Sequence, residues 1–119
     1  MSKTLLVVDD DKDLVEMLTT AFTGHGYQVV PAYDGQEGLE KAIELKPDLI
    51  LLDIQMPKLD GDQMYMTLRS DESTKKIPII ILTGLRTEQE ILENKEENTF
   101  AKPVSINLLL LKVEEMLKA

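Results

Sequence analysis

The chain has no cysteine, which removes disulfides, thiolate metal sites and thiol nucleophiles together and fits a reducing compartment. Long hydrophobic runs are missing too. The N-terminal MSKTLLVVDDD holds too few consecutive apolar residues for a signal peptide, and nothing later approaches the roughly 18 of a membrane-spanning helix. A cytoplasmic protein without membrane contact is the expectation. Basic residues are outnumbered, 13 Lys and Arg against 22 Asp and Glu for a formal charge of −9. A sequence-independent grip on nucleic acid needs cations to displace counterions, so no direct nucleic-acid contact is expected. The single histidine, His25, lies between two glycines and reads as an exposed turn residue rather than a phosphocarrier. No Pro/Gly/Ser tract, low-complexity segment or internal repeat divides the sequence, and 119 residues suit one domain with one substantial core.

What is present is an alternation of short apolar runs with amphipathic stretches, the pattern of βαβ units around a parallel sheet. TLLVV, Thr4 to Val8, is the first strand. Leu14, Met17, Leu18, Ala21 and Phe22 then recur on one helical face, and Gly24 and Gly26 stop that helix. A short second strand lies around Gln28 to Ala32. A second helix, Gly35 to Lys46, turns Leu39, Ala42 and Ile43 inward, and Pro47 breaks the chain before the strand DLILLD, Asp48 to Asp53. A third helix near Gly61 to Arg69, a polar surface loop SDESTKK and a fourth strand IIIL after Pro78 follow. A charged fourth helix from Arg86 to Asn98, a brief TFA strand, and a last helix capped by Ser105 complete five strands and five helices.

In open sheets of this kind ligands bind beyond the carboxyl ends of the strands, and the polar residues gather there. Asp9 and Asp10 end the first strand, Asp53 the third, Thr83 the fourth, and Lys102 follows the fifth. Three carboxylates and one ammonium leave a local charge of about −2, which one divalent cation cancels, and hard oxygen donors imply Mg²⁺. A carboxylate beside such an ion can act as a nucleophile toward a phosphoryl group, and Asp53 is the candidate. Lys102 then offsets charge on the phosphoryl oxygens while the Thr83 hydroxyl donates a hydrogen bond. Taken one at a time these residues have plainer readings. DDD suits a helix N-terminus, a lone Asp a turn, Thr83 a helix start, and Lys102 a solvated surface. Four independent strand ends supplying one chemistry outweigh those readings.

With VVDDD, DLILLDIQMPKLDG, PIIILTG and AKP in order, the chain resembles a receiver domain of a two-component response regulator over essentially its whole length. The resemblance implies a single receiver domain, 1–119, with a doubly wound, flavodoxin-like α/β sheet in strand order 2-1-3-4-5. It implies Asp53 as phosphoacceptor, with Thr83 and Lys102 contacting the phosphoryl group. Mg²⁺ is implied on Asp53, on Asp10 directly, on Asp9 through water, and on the backbone carbonyl of Gln55. Met56 and Pro57 shape the adjoining loop, Gly61 permits the turn into the third helix, and a cis Lys102–Pro103 bond aims the lysine. Implied partners are a histidine kinase or phosphotransfer protein upstream and an effector protein or domain downstream. Leu108 and Leu111, beyond the core stripe of the last helix (Ile106, Leu109, Leu110, Val113, Met116, Leu117), are either scattered surface residues or a contact with a partner or second copy.

The sequence departs from the family at Thr99, where an aromatic is usual and Phe100 comes one residue late, and in a shortened Thr83-to-Lys102 stretch. It ends after the last helix, which suits a stand-alone regulator, a phosphorelay intermediate or a domain of a longer protein. The competing function class is an aspartyl-phosphate phosphatase-type enzyme. Such enzymes carry a general acid two residues after the nucleophile, where this chain has Gln55, so a switch that is not an enzyme in its own right is favoured.

Overall fold

The computed structural model describes residues 2–53, 61–83 and 98–118. Five strands, β1 (Thr4–Val8), β2 (Gln28–Ala32), β3 (Leu49–Asp53), β4 (Ile79–Thr83) and β5 (Asn98–Ala101), form one sheet in the order β2-β1-β3-β4-β5. All four pairings are parallel. Helices α1 (Lys12–Gly24), α2 (Gly35–Leu45), α3 (Gly61–Ser70) and α4 (Ile106–Leu117) complete the described elements. These are four helices rather than the expected five. The expected fourth, Arg86 to Asn98, lies outside the described residues except for Asn98, which opens β5.

The sheet is covered on both faces, which is why its inner strands read as unbroken apolar runs rather than alternating ones. Leu5, Val7, Leu49, Leu51, Ile80 and Leu82 pack with Leu14, Val15, Leu18 and Phe22 of α1 and Leu109 and Val113 of α4. Leu6, Val8, Ile50, Leu52, Ile79 and Ile81 pack with Ala42 of α2 and Met64 and Leu68 of α3. Strand alternation thus divides one sequence run between two cores. Pro31 falls on the edge strand β2, where a missing N–H is tolerated, and the Lys41 ammonium donates to the Pro31 carbonyl at 2.6 Å.

Helix starts follow capping chemistry. Asp11, Asp34 and Ser105 accept from the backbone N–H three residues on, at Leu14, Glu37 and Leu108, satisfying donors that a first turn leaves open. Gly38 lies where α2 crosses β1: a Cβ there would sit 2.8 and 2.9 Å from the two Val8 methyls and 3.1 Å from Met64 Cε. The helix comes this close because glycine has no side chain.

Three local expectations are corrected. Met17 is 52 % exposed and Val15 is fully buried; the core face of α1 runs through 14, 15, 18 and 22, leaving Met17 beside Pro103 and Val104 in a groove of about 380 Å³. Ile43 is 41 % exposed, because the buried line of α2 runs through Gly35, Gly38 and Ala42. The SDESTKK segment is not wholly a surface loop. Thr74 within it is fully buried, and its hydroxyl donates 2.7 Å to the Leu68 carbonyl, one of the acceptors that a helix C-terminus leaves open. Helix α2 ends at Leu45, with Lys46 as a left-handed cap at φ 48°. The last helix behaves as expected: Leu109 and Val113 are buried, Ile106, Leu110, Met116 and Leu117 pack against them, and Leu108 and Leu111 are exposed.

Candidate functional site

Strand register assembles the site. Val8 stands opposite Leu52, Asp53 opposite Leu82, and Thr83 opposite Ala101, so the residues ending or following β1, β3, β4 and β5 reach one level at the carboxyl edge of the sheet. Asp9 continues β1 for one step, its N–H donating to the Ala32 carbonyl at 3.0 Å. Its side chain is fully buried and that of Asp53 nearly so, while Asp10 is exposed. Oxygens of Asp9, Asp10 and Asp53 all lie within 4.8 Å of one another.

The Asp11 backbone N–H donates to Asp9 Oδ1 at 2.9 Å. The Lys102 ammonium lies 2.8 Å from Asp9 Oδ2 and 3.3 Å from Asp53 Oδ2. The ammonium thus engages both carboxylates, Asp9 at the shorter distance and Asp53 through a hydrogen bond. Burial opposes the charged form of Lys102, but the proximity of Asp9 and then of Asp53 outweighs it and raises the ammonium pKa above that of an ordinary lysine. The Lys102–Pro103 peptide is cis, as expected.

Three acids with oxygens within 4.8 Å of one another, two of them buried, against one ammonium fit a hard divalent cation. Asp9, Asp10 and Asp53 can hold one. Among the site residues predicted from sequence, Asp9, Asp10, Asp53 and Lys102 are brought together. Thr83 is placed by its backbone at the end of β4, and Gln55, Met56 and Pro57 lie outside the described residues. Sequence reasoning missed the part played by Asp11, which caps α1 with its side chain and orients Asp9 with its N–H. The signal was available in an Asp before a helix start, but nothing in a run of three acids says which one turns outward.

Comparison with known proteins decides the family. Residues 5–114 match the sequence model of the response regulator receiver domain. The chain belongs to that family. The receiver is 37 % identical over 121 residues to the alkaline phosphatase synthesis transcriptional regulatory protein PhoP of Bacillus subtilis, covering 99 % of this chain and 50 % of that protein. It is 33 % identical over 117 residues to the DNA-binding dual master transcriptional regulator RpaA of Synechocystis, covering 96 % of this chain and 48 % of that protein. It therefore spans about half the length of these two regulators. Among solved structures it superposes on the receiver domain of a Francisella response regulator with a TM-score of 0.90 at 30 % identity, over 98 % of this chain and 97 % of that one. A chemotaxis response regulator of Vibrio cholerae gives 0.88 at 28 %, over 98 % and 99 %. Receivers of two-component systems are signalling switches rather than enzymes in their own right.

Proposed function

We propose that this receiver takes a phosphoryl group from a histidine kinase or phosphotransfer protein onto Asp53 and signals through the change in shape that follows. The observation that carries the reading is the Lys102 ammonium bridging two buried carboxylates, one of which ends β3. In the transfer an Asp53 carboxylate oxygen forms the new O–P bond as the bond from phosphorus to the donor breaks. The bonding pair leaves with the donor, to an imidazole nitrogen if the donor is phosphohistidine, and that nitrogen then carries a proton from solvent. Lys102 already lies within 3.3 Å of the attacking carboxylate, so it can stay paired with charge that moves from carboxylate to phosphoryl oxygens without reorganising. Asp9 holds Lys102 from the other side, and Thr83 is assigned a hydrogen bond to the phosphoryl group.

Asp9, Asp10 and Asp53, with the Gln55 backbone carbonyl by family resemblance, are the proposed holders of Mg²⁺, which when bound offsets charge on the phosphoryl oxygens. Residues 1–119 are proposed to act as a single receiver domain in the cytoplasm. PhoP of Bacillus subtilis and RpaA of Synechocystis are transcriptional regulators by name. For this chain, at −9, the proposed output is a protein or domain contact rather than a grip on nucleic acid.

The test is chemical. An acyl phosphate donor with Mg²⁺ is expected to give an adduct that hydroxylamine cleaves, as it does a carboxylic–phosphoric anhydride, and Asp9→Asn with Asp10→Asn is expected to suppress it. An adduct stable to hydroxylamine, or formed equally in EDTA, would contradict the proposal.

A further inference from the structure

Lys12 is the first residue of α1, three positions after Asp9, and it is placed against the local electrostatics. A helix N-terminus favours anions and disfavours cations, so helix stability gives no reason for a lysine there. Its ammonium is not left loose. It stands over the ring of Tyr33, 5.9 Å from the centroid, and Tyr33 directly follows Ala32, whose carbonyl accepts the Asp9 N–H. The Tyr33 backbone is held in place, its N–H donating 2.6 Å to Glu37 Oε1, and Glu37 is paired with Lys41 at 3.4 Å. Tyr33 is 38 % exposed, so the pair sits at the surface.

The charge around that position gives it a task. The turns after β1 and β2 carry Asp10, Asp11 and Asp34, the first turns of α1 and α2 add Asp13 and Glu37, and a phosphodonor brings further negative charge to them. Among the described residues that begin α1 or α2, Lys12 is the one cation, while Lys102 is already engaged by Asp9 and Asp53. We propose that Lys12, held over Tyr33, is a positioning residue that recruits the anionic phosphodonor to the acceptor site. This rests on the assignment of Asp53 above and adds a residue to it.

The test is the initial rate of Asp53 phosphorylation by acetyl phosphate with Mg²⁺, followed against donor concentration and ionic strength. Lys12→Gln is expected to lower the bimolecular rate constant about three- to fivefold at low salt and to flatten its salt dependence, the effect of one exposed charge within a Debye length of the approach. The first-order loss of the phosphoryl group afterwards should not change. Lys12→Arg should restore the rate, Tyr33→Ala should give an intermediate loss, and Lys3→Gln, removing the same charge before β1 at the opposite edge of the sheet, should match wild type. A Lys12→Gln rate constant and salt slope equal to wild type would overturn the role of Lys12 while leaving Asp53 as acceptor. So would a loss that persists unchanged at high salt, which marks a structural effect. Wild-type protein left unmodified at Asp53 would overturn the acceptor assignment and the Lys12 proposal with it.

Discussion

Replacing Lys102 with methionine removes the charge that compensates two buried carboxylates while keeping an unbranched apolar side chain of similar length. At an effective dielectric of about 20, the attraction across 2.8 Å to Asp9 is about 6 kcal/mol and that across 3.3 Å to Asp53 about 5 kcal/mol. These gross figures are offset by the desolvation of the ammonium. Removing one partner from a buried ion pair costs about 3–5 kcal/mol, and with the Lys102 side chain 24 % exposed the lower end, about 3 kcal/mol, is expected. For a domain of this size that is a fall in Tm of roughly 10 °C. Urea unfolding in EDTA, followed by circular dichroism, should show a lower midpoint at unchanged slope.

The sign of the pH dependence follows from the raised pKa of Lys102. A lysine whose folded pKa lies above its ordinary 10.5 contributes its full stabilisation below that value and loses it as pH rises through the folded pKa. The gap between wild type and Lys102→Met should therefore be constant through neutral pH and close only in strong alkali. Magnesium should narrow it as well, because acids freed from Lys102 bind the cation more tightly and gain more from it. A variant within about 0.5 kcal/mol of wild type in EDTA, or a gap that magnesium leaves untouched, would refute this account of the site.

Asp53→Asn should act in the opposite direction in EDTA, raising stability by about 2 kcal/mol. It relieves repulsion of about 3.5 kcal/mol from each of two acids within 4.8 Å and forfeits about 5 kcal/mol of attraction to Lys102; chemical denaturation reads the sign, and a destabilised variant would count against the charge balance. Gly38→Ala gains about 0.5–1 kcal/mol of helix propensity but drives a methyl to 2.8 Å from Val8, a stiff β-branched neighbour, at a cost of about 1–3 kcal/mol. A net loss near 1 kcal/mol in the unfolding midpoint is expected, and a stabilised variant would show that α2 can shift freely. Thr74→Val leaves the Leu68 carbonyl without its donor and should cost about 1–3 kcal/mol by the same measurement; a neutral result would mean that another donor replaces it.

The sheet was legible because each strand is short, apolar and bounded by Gly, Pro or Asp, so Thr4–Val8 is read to the residue and the second strand is placed around Gln28–Ala32. The gathering of Asp9, Asp10, Asp53 and Lys102 was legible because charged residues stand where several apolar strands end, and a parallel sheet brings those ends to one edge. Helix phase was less so. Met17 and Val15 are both apolar, and which of them faces the sheet depends on how α1 docks rather than on spacing. Thr74 was read as loop because its sequence neighbours are polar, and only the fold shows that it returns under the end of α3. The pairing of Lys102 with Asp9 as well as Asp53 joins residues far apart in the chain, a contact that sequence spacing cannot express.

The central claim is tested most directly by mapping the phosphoryl group. Wild-type protein treated with acetyl phosphate and Mg²⁺ should carry one adduct, located by mass spectrometry of its peptides to Asp53, absent in EDTA and absent from Asp53→Asn. An adduct of equal yield on Asp53→Asn, mapped to another residue, would contradict it.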